Sequence, residues 1–371
     1  MSKCFFIFFI FIFSVSFGAS FETVDVRGVV DSLKDFDSEF IGNDYEDMIE
    51  SIKEGNFEFD YKKILGNTGD VLVKEVRNNI GILVQIVVIA LLMGLLHNLQ
   101  SSFSKDGVSQ IAFYVCYILM ITVLVSGFTN IYNIAKDSIL EITKFMNVLI
   151  PIVVGLVVAS GGITVSTMIY PLLTFATQFI SGFIANFLLP ISMICFALNI
   201  VSNISKKVSV SRVIKFFESA SMWALGIILT IFVGVLSLEG TIASTVDGIT
   251  VKTAKFLFSG SIPVVGKLLG DSVDTILGST LIMKDAIGFV GVVILLSLAL
   301  VPIIKIFTVV VLYHLTGAII EPFADERICN CLSNTAKNGG IILSMVITVI
   351  IMFIIGTVML LKITNFAAMH G

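Results

Sequence analysis

Charged residues are scarce in this chain, and their scarcity excludes an ordinary soluble protein. Of its 371 residues, 13% are charged and 56% are hydrophobic, and the mean hydropathy is +1.02. Soluble domains carry about 25% charged residues. No block is basic enough, or mixed with enough aromatic residues, to indicate nucleic-acid binding. The apolar runs reach the roughly 20 residues that one bilayer crossing requires, so the sequence predicts an all-α, polytopic membrane protein.

Residues that bind metals or form disulfides are also few. The chain has 5 cysteines and 3 histidines, and no spacing among them matches a zinc site or a disulfide framework. We interpret Cys116 and Cys195 as buried thiols in apolar runs, and Cys329 and Cys331 as an isolated pair in a loop. The Gly-x-Ser-x-Gly elbow of serine hydrolases is absent as well. We therefore expect no metal, no cofactor and no catalytic residue, and we predict that the chain is not an enzyme.

The first 19 residues have the pattern of a signal peptide. Lys3 stands near the start, an apolar run of about ten residues follows, and small residues end the segment. We expect cleavage after Gly18, with an uncleaved anchor as the alternative. In either case the acidic segment 20–78 is predicted to lie outside the cytoplasm, as short helices that rest on the membrane domain.

The rest of the chain predicts seven or eight membrane spans. We place a membrane domain over 79–238 and C-terminal membrane spans over 286–371. The apolar stretch 163–203 would form about 60 Å of helix, twice the roughly 30 Å of a bilayer core. We therefore expect this stretch to cross twice, with a break near Pro190. For 286–321 one or two crossings stay open, and with them the side on which the C-terminus lies.

One basic loop orients this topology. The loop covers 204–219 and is the densest basic segment of the membrane part. The positive-inside rule places such a loop in the cytoplasm. Its basic residues are Lys206, Lys207, Arg212 and Lys215.

A polar segment at 239–285 separates the apolar runs, and its glycines first resemble a phosphate-binding loop. That motif needs four residues between its glycines and a Ser or Thr after the lysine. Here five residues separate Gly260 from Gly266, and Leu268 follows Lys267. The spacing therefore excludes nucleotide binding.

A second interpretation of the same segment is an intramembrane aspartyl protease. Such an enzyme needs two facing aspartates that share a proton. Asp271 and Asp274 lie close together in sequence, but no apolar span elsewhere supplies a partner. We reject hydrolysis on this ground.

A broken helical hairpin explains more of these residues. Ser259 and Gly260, together with Pro263, predict a helix break, and Lys267 and Asp271, at i and i+4, are predicted to form a charge pair. Behind the break, small residues recur every four positions, and we predict that this stripe lines a pore or packs against a helix. Whether the hairpin is re-entrant or lies as an amphipathic loop on the outer surface stays open. The stripe consists of Gly266, Gly270, Asp274 and Gly278.

Three stretches carry a resemblance to a known family. They are "IKEGNFEFDYKKIL", the "HNLQSSF" that ends the first span, and above all "EGTIASTVDGITVKTAKFLFSGSIPVVGKLLGDSVDTILGS" at 239–279. With these stretches the chain resembles the stage III sporulation protein AE family of endospore-forming bacteria. The resemblance implies a multi-pass protein of the mother-cell membrane that surrounds the forespore. It brings no catalytic residues and assigns no roles within 239–279.

The resemblance also implies partners and a function. Family members work with the other membrane proteins of the stage III sporulation A operon, with a secretion-type ATPase, and indirectly with the stage II protein Q of the forespore. Their assembly forms a channel across both membranes and sustains spore development, by secretion or by the passage of small molecules. We therefore expect a non-enzymatic subunit of a transenvelope channel. From the residues alone, a stand-alone permease or secondary transporter of a small solute is the alternative.

Overall fold

The computed structural model describes residues 61–100, 106–204, 210–261, 265–322 and 324–369. This part is almost entirely helical and contains no β-strand, so the predicted all-α architecture is confirmed. The predicted signal peptide and most of the acidic segment lie outside the described residues. In chain order the elements are α1 (Tyr61–Gln100), α2 (Asp106–Ala159), α3 (Ile163–Phe175), the π-helical turn π1 (Ala176–Ile180), α4 (Ser181–Phe183), the π-helical turn π2 (Ile184–Leu188), α5 (Leu189–Ile204), α6 (Ser211–Ser261), α7 (Val265–Ile320) and α8 (Glu326–Met369).

Six helical stretches of the described residues are long and apolar enough to cross a membrane. The predicted count of seven or eight spans is not confirmed, because helices continue through segments where the sequence indicates interruptions. The stretches are Gly69–Met93, Tyr114–Ala159, Ile163–Asn203, Ser211–Thr250, Thr280–Ile320 and Glu326–Lys362.

The predicted break near Pro190 is absent. Pro190 lies two residues after π2, inside a helical run that continues from Ile163 to Ile204. Proline removes one N–H and crowds the preceding turn, and the wider π-helical turns before it take up this crowding. Pro302 likewise lies inside α7, so the described backbone of 286–320 forms one helix.

The turn between α2 and α3 is built from two glycines, Gly161 and Gly162. Gly161 has a positive φ of 89°, a conformation that glycine adopts without steric cost. Its N–H donates to the carbonyl of Val158, and the N–H of Gly162 donates to the carbonyl of Val157, at 3.0 and 2.9 Å. This pair of bonds is the Schellman motif that ends many helices. It turns the chain back so that α3 begins beside the end of α2.

Helices α7 and α8 form the centre of the bundle. α7 packs against α8, α2, α1 and α6, and α8 also packs against α6, α2 and α5. In the most apolar 18 residues of the candidate span of α7, 72% are buried, whereas 17% are buried in the corresponding stretch of α1. Glycine brings the backbones close, since a Cβ atom at Gly291 of α7 would lie 2.6 Å from Cδ1 of Leu149 on α2.

Hydroxyl groups inside these helices bond to their own backbone. Thr177, Thr316 and Thr357 each donate to the carbonyl four residues earlier, at 2.6 to 2.9 Å. A bilayer core offers no water to polar groups, so each must find a partner within the protein. These bonds allow hydroxyl side chains to lie within long apolar helices.

Candidate functional site: charged and amide groups in the apolar bundle

Three neighbouring helices contain long segments without a charged residue. The segments are 219–238 of α6, 286–304 of α7 and 338–361 of α8. Each has about the length that one bilayer crossing requires. We call these three segments the apolar band, and contacts at both of its ends place them at one height.

At one end of the band a salt bridge joins α6 to α8. Nζ of Lys337 donates to Oε2 of Glu218, and each residue directly precedes the uncharged segment of its helix. The side chain of Glu218 is 6% exposed and that of Lys337 is 56% exposed. A buried carboxylate needs such a partner, because a charge removed from water is costly unless it is paired and hydrogen-bonded. The pair therefore fixes the register of α6 against α8.

At the other end of the band a fully buried lysine joins α7 to α8. Nζ of Lys284 donates to the backbone carbonyl of Leu361 at 2.9 Å and lies 3.3 Å from Oδ1 of Asp285. One turn further along α7, the absence of a side chain at Gly288 leaves room for that of Leu361. The buried ammonium thus has a carboxylate and a carbonyl as partners, as a charge removed from water requires.

On the same side of the band, Asp247 of α6 caps helix α3. Its Oδ1 accepts from the N–H of Thr164 and its Oδ2 from the N–H of Val165, both at 2.8 Å. The N-cap residue of α3 is Gly162, which has no side chain to do this. Asp247 is 2% exposed, and its charge is stabilised by two charge-assisted hydrogen bonds and by the positive end of the helix dipole.

Two amide side chains meet on the outer surface of the bundle. Nε2 of Gln178, in π1, donates to Oδ1 of Asn147, on α2, at 2.9 Å, and both side chains are exposed. π-Helical turns within α-helices occur frequently at functional sites. The contact also places α2 beside the helical run that contains π1.

The predicted stripe of small residues lies on the first part of α7. Of its four positions, only Gly278 has surroundings that the structure describes; for the others it describes the helical backbone alone. A Cβ atom at Gly278 would meet no described atom within 4 Å, so no close contact within the described part accounts for this glycine. For Gly266, Gly270 and Asp274, and for the predicted pair Lys267 and Asp271, the structure describes only the helical backbone. Stripe and pair therefore stay predictions.

The predicted break falls between α6 and α7. Ser259 and Gly260 lie in the last turn of α6, which ends at Ser261, and Pro263 lies outside the described residues. The segment 239–285 thus consists of the end of α6 and the beginning of α7. Its re-entrant form stays a prediction.

The predicted basic loop is described in part. Arg212 and Lys215 lie in the first two turns of α6 with exposed side chains, whereas Lys206 and Lys207 lie outside the described residues. The cytoplasmic location of the loop stays a prediction.

The His, Cys, Asp and Glu side chains of the described part form no metal-binding cluster. No group of three or more His, Cys, Asp or Glu side chains in this part is arranged to hold a metal ion. The cysteines at 116, 195, 329 and 331 are free thiols, and Cys195 is buried as predicted, whereas Cys116 is only half-buried. Cys329 and Cys331 lie at the start of α8 and not in the loop that the sequence indicates, because Asp325 caps α8 by accepting from the N–H of Arg327 at 2.9 Å.

Sequence reasoning missed Asp247, Lys284, Asn147 and Gln178. A signal for Asp247 was available, since a helix that begins after Gly162 has no cap of its own and needs an acceptor from elsewhere. For Asn147 and Gln178 no local pattern exists. They are 31 positions apart and meet only because the turn at Gly161 sets two helices side by side.

Comparison with known proteins gives the family. The model of the family described as stage III sporulation protein AE matches residues 43–364. The stage III sporulation protein AE of Bacillus subtilis (strain 168) is 30% identical over 298 residues, which cover 80% of this chain and 75% of that protein. No solved structure matches the chain. The chain therefore belongs to the stage III sporulation protein AE family, as its polar segment at 239–279 indicates.

Proposed function

We propose that this chain is a non-enzymatic, multi-pass membrane subunit of a channel or secretion complex that connects the mother cell with the forespore. Membership of the stage III sporulation protein AE family over residues 43–364 carries the proposal. The six helices that are apolar enough to cross a membrane support the multi-pass part of it. The charged groups at the two ends of the apolar band support the role of a scaffold, since each joins two helices.

In this function the bundle is a rigid frame. The pair of Glu218 with Lys337 holds α6 to α8 at one end, and Lys284 holds α7 to α8 at the other. Because both ties lie at the ends of the apolar band, the three helices do not slide past one another. Partner proteins then meet a surface of fixed shape, as a multi-subunit channel requires.

The proposal includes a location and partners. The chain lies in the mother-cell membrane that surrounds the forespore, with the basic loop 204–219 in the cytoplasm. The acidic segment 20–78 and the hairpin at 239–285 then face the space between the two membranes. The partners are the other membrane proteins of the stage III sporulation A operon and the secretion-type ATPase, and through them the stage II protein Q.

Substitutions in the hairpin test this function. In an endospore-forming host whose own copy is replaced, Gly270→Leu and Asp271→Lys are expected to leave the amount of protein in the membrane fraction unchanged and to abolish heat-resistant spores. Thr253→Leu is the matched control, because Thr253 is exposed on α6 within the same segment. Normal spore counts from both variants would exclude the role assigned to the hairpin.

Isolation of the complex tests the function independently of the hairpin. An affinity-tagged chain, extracted from membranes of sporulating cells with mild detergent, is expected to bring down the other operon products and the ATPase. Purified alone and placed in liposomes, the chain is expected to transport no solute. Solute uptake by the chain alone, without co-isolated partners, would instead establish the stand-alone permease.

A further inference from the structure

Helix α2 passes through the height of the apolar band. Leu149 of α2 lies against Gly291 of α7, and Ile131 of α2 lies near Gly339 of α8. Both glycines belong to the uncharged segments of their helices. Residues 131–149 of α2 therefore run beside the band from one of its ends into its interior.

Within this part α2 has a polar outer face. Its exposed residues other than Leu140 recur at spacings of four, four, three and three, so they form one line along the helix. The opposite side of the same helix is buried, as at Ile139 and Phe145. We call the exposed line the α2 polar face, and it consists of Asn133, Asp137, Glu141, Lys144 and Asn147.

The neighbouring helix is apolar at the same height. The contact between Asn147 and Gln178 sets the level of the two helices, and no residue of 163–204 is charged. This helical run exposes the rings of Phe175, Phe179 and Phe187 at 56 to 58%. Successive rings of the row at 175, 179, 183 and 187 are stacked, with centroids 5.0, 6.5 and 5.2 Å apart.

Helix α6 is apolar at this height as well. Between Glu218 and Glu239 it exposes Trp223 and Ile227, at 72 and 51%. Large exposed apolar side chains on two helices mark the side of the bundle that meets lipid. The α2 polar face therefore lies at the height of the apolar band, which we take as the height of the bilayer.

Helix α1 extends the polar side of the molecule. Ile82 of α1 lies near Gly127 of α2, and α1 packs along α2. The preceding turns of α1 expose Asp70, Lys74 and Arg77 together with the apolar Leu72 and Val73. The polar side thus includes residues from two adjacent helices.

Lipid cannot be what covers the α2 polar face. Three charged side chains, Asp137, Glu141 and Lys144, lie on it, and no ion pair within the described part engages them. Ionisable side chains at membrane depth face the interior of a bundle or a water-filled cavity, because hydrocarbon does not solvate them. Such side chains mark pathways for ions and substrates.

Dry contact of this face with the same face of a second copy is also excluded. Copies in one membrane share their orientation, so the rotation that relates them keeps each residue at its own height. A contact between two α2 polar faces would place Asp137 opposite Asp137 and Glu141 opposite Glu141. Like charges so placed repel one another strongly in a medium of low dielectric constant.

We infer that the α2 polar face lines a water-filled passage through the bilayer. Water solvates carboxylate, ammonium and amide groups alike, and it separates like charges from neighbouring subunits. Because the face carries charges of both signs and amides, the passage suits small hydrated solutes of either sign rather than lipids. This inference rests on the proposed function, since further protein must close the passage on its other sides.

Cysteine accessibility tests the passage. The background is the full-length chain with its five cysteines replaced by alanine, at Cys4, Cys116, Cys195, Cys329 and Cys331. Single cysteines are then introduced as Asp137→Cys, Glu141→Cys and Asn147→Cys on the α2 polar face. Ile227→Cys and Ile231→Cys are the matched controls, because both are exposed on the apolar side of the same band. Membranes of sporulating cells are treated with a membrane-impermeant methanethiosulfonate, and the rate of modification is measured.

The α2 positions are expected to react at least about ten times faster than the controls. Thiolate is the reacting species, and one unit of pKa increase in an apolar site lowers its fraction about tenfold. Asn147→Cys removes no charge, so it keeps the test valid if the other two variants do not reach the membrane. Equal rates at both sets of positions, or reaction at the controls alone, overturn the inference. Co-isolation of the operon products with the cysteine-free chain tests the proposed function separately, so the two failures are distinguishable.

Discussion

The carboxylate of Asp247 caps helix α3 from another helix, because Gly162, at the start of α3, has no side chain. Both carboxylate oxygens accept backbone N–H groups at 2.8 Å in a site closed to solvent. At the scale of single residues, an apolar bundle can hold a charged side chain that is fully hydrogen-bonded. The carboxylate of Asp247 joins α6 to α3 and accepts from backbone N–H groups that would otherwise have no acceptor. Lys284 is held in a similar way between a carboxylate and a carbonyl.

Removing the cap is expected to destabilise the fold. Asp247→Ala leaves two buried N–H groups without an acceptor and should lower the free energy of unfolding by about 1–3 kcal/mol. Asp247→Asn keeps one acceptor oxygen and should lose less. The temperature at which detergent-solubilised protein aggregates measures the effect, with Thr245→Ala as control, since Thr245 is exposed and bonds only within α6. An unchanged temperature for Asp247→Ala would show that the cap does not stabilise the fold.

At the scale of elements, close helix contacts depend on glycines that lie opposite leucines. Gly291 of α7 faces Leu149 of α2, and Gly288 of α7 faces Leu361 of α8. Two glycines three positions apart thus place α7 against two different helices. This arrangement explains how α7 packs closely against both α2 and α8 at the centre of the bundle.

Filling one of these contacts is expected to separate α7 from α2. In Gly291→Ala the new Cβ would lie 2.6 Å from Cδ1 and 2.7 Å from Cδ2 of Leu149. Such overpacking costs about 1–3 kcal/mol, and Leu149→Ala added to the same chain should restore part of the loss. The same aggregation temperature checks both variants, and Gly155→Ala is the control, since a Cβ there meets no described atom within 4 Å. If the double variant is less stable than Gly291→Ala by the full cost of a core leucine, the contact is not the cause.

At the scale of the whole molecule, the apolar band sets the position of the protein in the membrane. Three helices lose their charges over the same height and regain them at both ends. That height is close to the roughly 30 Å of a bilayer core. The helices themselves are longer, about 77 to 84 Å for α6 and α7 at 1.5 Å per residue, so both extend beyond the bilayer.

A charge placed on the lipid side of the band tests this position. Ile227→Lys puts an ammonium near the middle of the uncharged segment of α6, where a charge costs about 2.5–3.5 kcal/mol. We expect less protein in the membrane fraction, measured by quantitative immunoblot. Val213→Lys is the control, because Val213 is exposed on α6 outside the band and beside Arg212. Equal amounts of the two variants would place the bilayer elsewhere on the bundle.

Much of the architecture was predictable from composition alone. Runs of apolar residues fix helices and membrane character, since a bilayer core admits only structures that satisfy their own backbone. α2 ends at Ala159, just before Gly161, whose positive φ only glycine adopts without steric cost. The break predicted at Pro190 is absent from the structure. The effect of a proline depends on the turn before it, and two π-helical turns precede Pro190.

By itself the sequence determined that this protein is a helical membrane protein and that it belongs to a particular sporulation family. These properties depend on which residues occur and how they are spaced along one helix. Only the tertiary structure decided that Asp247 caps α3, that Glu218 meets Lys337, and that the α2 polar face lies at the height of an uncharged band. Those pairings join residues that are distant in the chain, and they arise only when packed helices set their heights against one another.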